Sequence, residues 1–131
     1  MASPLPARLT FEEAATLPLA LSTAACGLFE KHLLSLRLPG QQSAGSLSRE
    51  WVVVWGASTN VGGNSVQLAA NAGYDVIAIA STPETDRVLS LGARHVVDRH
   101  DPAPSTGSWI SCLDTYLPAH SRSVAARLPR V

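Results

Sequence analysis

Trp51-Val52-Val53-Val54-Trp55-Gly56-Ala57-Ser58-Thr59-Asn60-Val61-Gly62-Gly63 is an apolar, β-rich run that passes directly into a glycine-rich turn. Continuous apolar runs of this kind suit a parallel strand covered on both faces. A strand that ends in small residues and enters a helix can bring backbone amides around a pyrophosphate, and the helix N-terminus adds partial positive charge. Gly56, Ala57, Gly62 and Gly63 supply the small residues; Ser58, Thr59 and Asn60 add side-chain donors for phosphate oxygens. The turn is not a strict GxGxxG, because Thr59 stands where the middle glycine would be. Taken alone, it would also suit plain helix-to-strand packing.

The residues that follow favour the nucleotide reading. A helical stretch ends at Gly73, placed as a C-terminal stop. Asp75 to Ala80 reads as a second strand. Pro83 opens a second helix, which Gly92 closes, and His95-Val96-Val97-Asp98 reads as a short third strand. This is βαβαβ in under fifty residues, with connections that demand right-handed crossovers onto a parallel sheet in the order 3-2-1. The fold class is therefore α/β, a partial doubly wound parallel sheet of the Rossmann type. Beyond Asp98, residues 99–108 read as a loop, 109–113 as a possible fourth strand and 121–128 as a final short helix.

Upstream, Thr10-Phe11-Glu12-Glu13 matches a capping box, in which hydroxyl and carboxylate satisfy each other's backbone amides. A short helix over 11–16 is expected, then a longer one from Pro18 to Leu34, since proline suits a helix's first position and not its interior. The second helix is apolar on nearly every side and should be sandwiched. Residues 37–50 carry Pro39, Gly40, Gly45 and several serines, and read as a loop. The chain thus divides into a helical lead-in over 1–50 and a truncated dinucleotide-binding unit over 51–131.

The whole chain has 131 residues, enough for one domain with a core and not for two. Hydrophobic residues make up 46% and charged residues 15%, which fits a globular chain. Ten basic residues balance ten acidic ones, so neither nucleic acid nor an anionic membrane is expected as a partner. Cys26 and Cys112 are far apart, and His32, His95, His100 and His120 lack HxxxH or HxH spacing; no metal site is expected. The uncharged run over 14–29 is shorter than the roughly 20 apolar residues of a membrane span. Glu12 and Glu13 stand where a secretory signal would carry positive charge. The run reads as a buried helix and the expected setting is the cytoplasm, with a secretory signal as the alternative.

These motifs together resemble the medium-chain dehydrogenase/reductase superfamily, in particular its zinc-independent quinone reductases and fungal trans-acting enoyl reductases. Thr10-Phe11-Glu12-Glu13-Ala14-Ala15-Thr16-Leu17-Pro18-Leu19-Ala20 and Thr23-Ala24 look like the segment leading into the cofactor domain of that family. Gly56-Ala57-Ser58-Thr59-Asn60-Val61-Gly62 resembles its phosphate-binding turn. Gln67-Leu68-Ala69 through Gly73, and Leu91-Gly92-Ala93 before Val96-Val97-Asp98, continue the likeness in order, over residues 8 to 100. Ile110-Ser111-Cys112-Leu113-Asp114 looks like a fourth strand of such domains. The resemblance implies a nicotinamide cofactor, an enoyl thioester, enone or quinone substrate, a polyketide synthase as a candidate partner, and an N-terminal catalytic domain not represented here.

It also implies site residues. Thr23 would line the nicotinamide end, though a helix threonine also bonds its own backbone. Gly56, Ala57, Ser58, Thr59, Asn60, Val61 and Gly62 would hold the pyrophosphate. NAD-binding members close the second strand with an acidic residue that holds the ribose 2′-OH. Here Ile79-Ala80-Ser81-Thr82-Pro83 ends without one, and Ser81 and Thr82 could donate to a 2′-phosphate. NADP is therefore expected over NAD, with Glu84 as the opposing charge and Arg87 as a compensating one. No catalytic acid, base or metal dyad is recognisable. Thr115 and Asp114 would lie near the adenosine or ribose, while Cys112, Trp51, Trp55 and His95 read as packing residues. Three readings stay open: an NADPH-dependent oxidoreductase or part of one, a nucleotide-binding half-Rossmann module without turnover, and an inactive fragment.

Overall fold

The computed structural model describes residues 4–41 and 50–100. In chain order these form α1 (Phe11–Ala15), α2 (Leu17–Phe29), β1 (Trp51–Trp55), α3 (Asn60–Asn71), β2 (Asp75–Ala80), α4 (Thr85–Ser90) and β3 (His95–Asp98). A single turn of 3-10 helix, Thr82–Glu84, leads into α4. The three strands make one parallel sheet in the order β1-β2-β3, as the crossovers require. Its register pairs Trp55 with Ile79 and Ala80 with Asp98, so all three strands end on one rim. The expected fourth strand and final helix, with Cys112, Asp114 and Thr115, lie outside the described residues.

Alternation of side chains sorts the sheet into two faces. Val52, Val54, Val76, Ala78 and Ala80 pack with Val66 and Ala69 of α3 and Val88 of α4. Ile77, Ile79 and Val97 form a separate cluster on the other face, bordered by Trp51. Ile77, Val66, Val76 and Val88 are the largest fully buried side chains. Each contributes roughly 1.5–3 kcal/mol through burial. Val53 and Trp55 remain exposed, so the expectation that β1 is covered on both faces does not hold among the described residues. The described helices contribute only to the first cluster.

The lead-in also departs from expectation. The Thr10–Glu13 capping box forms as read, and Pro18 sits in the first turn of α2. The second helix, however, stops at Phe29 rather than Leu34. Glu30 is extended, and the chain folds back so that the amides of Leu34 and Leu36 donate to the carbonyls of Gly27 and Leu28. This return satisfies carbonyls that a helix end leaves open and brings Leu36 against the core. Nor is α2 sandwiched among the described residues. It buries the single stripe Ala20, Ala24 and Leu28, the side that packs on α3, and leaves Leu19 and Leu21 exposed.

At the opposite rim, Asp75 is buried at the start of β2 and accepts from Arg94 through both carboxylate oxygens, at 3.0 and 3.1 Å. The Arg94 guanidinium lies over the Trp51 ring, which stacks on His95. These contacts join the starts of all three strands and leave the C-terminal rim to the glycine-rich turn.

Candidate cofactor site

The turn after β1 is a close fit of backbone to backbone. Gly56 has φ +67°, a left-handed conformation that glycine adopts without strain. The Ala57 amide donates to the Ile79 carbonyl at 3.1 Å and the Thr59 amide to the Gly56 carbonyl at 2.9 Å. Thr59 then caps α3, its hydroxyl accepting from the Gly62 amide at 3.1 Å. A Cβ on Gly62 would stand 2.2 Å from the Gly56 carbonyl oxygen, inside any permissible contact. Residue 62 must therefore be glycine for α3 to begin this close to the strand. The amides of Asn60 and Val61 open α3, where no carbonyl a turn earlier can take them; among the described residues neither donates to backbone outside the helix. A small-residue cradle, open amides and a positive helix end form the donor set a pyrophosphate needs. The turn fits that group.

The side chains named from the sequence divide by what they touch. The Ser58 hydroxyl has no hydrogen-bond partner among the described residues. Thr59 serves as the helix cap. The Asn60 side-chain amide is engaged elsewhere: it donates to the Thr16 carbonyl at 3.2 Å, tying α3 to the junction of α1 and α2. Val61 is exposed at the start of α3. Thr23 is exposed on α2, one residue from buried Ala24. Its hydroxyl forms no bond to its own helix, unlike that of Ser22, which donates to Leu19.

At the end of β2, Ser81 keeps its hydroxyl unbonded among the described residues, whereas the Thr82 hydroxyl donates to Oδ2 of Asp98. Asp98 also accepts from the His100 amide at 2.9 Å and faces the His100 imidazole at 3.4 Å. The Thr82 hydroxyl first, and the His100 amide next, hold the Asp98 carboxyl below the usual carboxylate range. Sequence reasoning looked for an acid at the end of β2 and missed this one at the end of β3. The strand order was the available signal, since a parallel register sets Asp98 beside Ala80. Arg87 reaches back from α4 to donate to the Ser58 carbonyl at 2.7 Å, and pairs with Glu84 at 2.6 Å. Among the described residues no three His, Cys, Asp or Glu side chains come together as a metal cluster, and no helix is long and apolar enough to cross a membrane.

A parallel sheet with a glycine-rich turn at its C-terminal rim defines the dinucleotide-binding class of α/β domains. No protein-family model matches the chain. Over 103 residues it is 45% identical to the dehydrogenase azaJ of Aspergillus niger, covering 79% of this chain and 29% of that protein. It is 46% identical to a zinc-type alcohol dehydrogenase-like protein of Schizosaccharomyces pombe, covering 75% and 28%. The trans-enoyl reductase himH of Aspergillus japonicus is 38% identical, with 76% and 28% covered. Among solved structures, an NAD-dependent alcohol dehydrogenase superposes with a TM-score of 0.67 at 29% identity, covering 91% of this chain and 29% of that one. The CurK enoyl reductase gives 0.60 at 33% identity, with 75% and 26% covered. The chain belongs to the medium-chain dehydrogenase/reductase superfamily, and it spans under a third of the length of these relatives.

Proposed function

We propose that this chain supplies the cofactor-binding part of a cytoplasmic NADPH-dependent oxidoreductase that reduces an enoyl thioester, an enone or a quinone. Residues 51–131 are the dinucleotide-binding unit and 1–50 its helical lead-in. The observation that carries this reading is the Gly62–Gly56 contact, which no larger residue could make and which sets the N-terminus of α3 against the end of β1. The trans-enoyl reductases among the relatives and the enoyl reductases among the structures favour an activated alkene over an alcohol. A polyketide synthase is the proposed source of the thioester.

The nicotinamide, when bound, supplies the hydride. The residues of this chain bind and orient it. The turn amides and Ser58 take the pyrophosphate, Ser81 donates at the ribose end, and Thr23 on α2 borders the nicotinamide. The Asp98 carboxylate stands near that ribose end, but Thr82 and His100 occupy its oxygens, which blunts its repulsion of a 2′-phosphate. Fluorescence titration of the 131-residue chain with NADPH and NADH tests the reading. Saturable binding with NADPH the tighter ligand is expected; binding of neither would refute it.

A further inference from the structure

The bond between Arg87 and Ser58 spans 29 positions of sequence and joins α4 to the middle of the glycine-rich turn. Ser58 and Thr59 share one peptide unit, and a peptide unit is planar. Its carbonyl accepts from Arg87 Nη2 at 2.7 Å, and its N–H donates to the Gly56 carbonyl at 2.9 Å. The unit is therefore held from both sides and cannot rotate without breaking one bond or the other. Its orientation sets the extended conformation of Thr59, whose hydroxyl then receives the Gly62 amide. The guanidinium is itself oriented by Glu84, which accepts from Nε at 2.6 Å, and it lies beside Gly63 in the first turn of α3.

The placement is electrostatically unusual. A cation beside a helix N-terminus adds to the positive end of the helix dipole, which is unfavourable without a compensating anion. Glu84 compensates part of it. A carbonyl oxygen in an anion-binding turn would repel a phosphate, and Arg87 holds the Ser58 carbonyl on α4 instead. We propose that Arg87 is a positioning residue: a strut from α4 that fixes the 58–59 peptide and so preorganises the phosphate-binding turn. This rests on the reading of that turn as the pyrophosphate site.

The test uses the full 131-residue chain as wild type, Arg87→Met and Arg87→Lys. Amide hydrogen exchange is measured without ligand, and NADPH and NADH affinities by titration. Met keeps the aliphatic bulk and removes the donors; Lys keeps the charge but cannot bridge Glu84 and Ser58 as a planar fork. In both variants the amides of Thr59 and Gly62 should exchange faster, while those of Val76, Ile77 and Ala78 keep wild-type rates. Losing a charge-assisted bond predicts about tenfold weaker binding of both dinucleotides alike in the Met variant. Unchanged exchange in the turn, or acceleration spread evenly over the sheet, would overturn the strut. A loss confined to NADPH would also overturn it, because Arg87 would then act directly on the 2′-phosphate. If wild type binds neither dinucleotide, the pyrophosphate reading fails, and the exchange measurement still decides whether Arg87 holds the turn.

Discussion

The Gly62 position sits so close to the Gly56 carbonyl that an added Cβ would lie 2.2 Å from its oxygen and 2.9 Å from the Ala57 Cα. All the opposing atoms are backbone, so no rotamer change relieves the clash; either the turn or the start of α3 must move. Gly62→Ala is expected to destabilise the chain by about 1–3 kcal/mol, the usual cost of overpacking. Gly62→Val should abolish binding of both dinucleotides while most of the helical signal survives. Gly27 is the control, since an added Cβ there meets nothing within 4 Å. Gly27→Ala should stabilise α2 by about 0.4–1 kcal/mol. Thermal melts followed by circular dichroism check both signs; a neutral Gly62→Ala would mean the turn relaxes freely.

The strands were legible for a simple reason. Trp51–Trp55, Asp75–Ala80 and His95–Asp98 are bounded by glycine, proline and charge, and their spacing allows only crossovers onto a parallel sheet. Thr59 as a helix cap was not read, because its hydroxyl looked like a phosphate donor, and the two roles use the same atom type. Asn60 misled for a related cause: its amide goes to Thr16, a partner 44 residues away that no local pattern announces. The covering of α2 was overestimated because apolarity shows that a face can be buried, not that another element lies there; among the described residues Leu19 and Leu21 stay exposed. The left-handed Ser35 within the return from α2 carries no sequence signal at all.

Asp98 is expected to tune cofactor choice. Its carboxylate takes the Thr82 hydroxyl that sequence reasoning had assigned to a 2′-phosphate. Asp98→Asn removes the negative charge and loosens that claim on Thr82. NADPH should bind several-fold tighter to the variant, and NADH should change little. Paired titrations read the ratio directly. An unchanged NADPH-to-NADH ratio would place Asp98 outside the ribose end.

The same residue predicts an acid limb in stability. A carboxyl whose folded pKa is depressed stabilises the fold above its unfolded value, near 3.9, and loses that contribution as pH falls through the lower folded value. The Thr82 hydroxyl and the His100 amide cause the depression here. The melting temperature of wild type should exceed that of Asp98→Asn at neutral pH, and the gap should narrow as pH drops below the usual carboxylate range. A gap independent of pH would show that packing, not charge, distinguishes the two.

The 131-residue chain by itself is expected to bind cofactor without turning over substrate. A hydride acceptor must be held about 3–3.5 Å from the nicotinamide in an aligned pose, with water kept from the reacting centre. The described residues form one three-stranded unit; under the proposed reading its turn, Ser81 and Thr23 are taken up by the cofactor, and none of them is an acid or base that could polarise an acceptor. Interactions that hold cofactor equally in ground and transition states accelerate nothing. The matched stretch makes up under a third of each of these relatives, so most of their length lies outside what this chain represents. NADPH absorbance followed with crotonyl thioester and with a quinone makes the test, with Gly62→Val as control. A protein-dependent rate well above background, lost in the control, would show that these residues assemble an acceptor site of their own, with Thr23 the first candidate to probe by Thr23→Val.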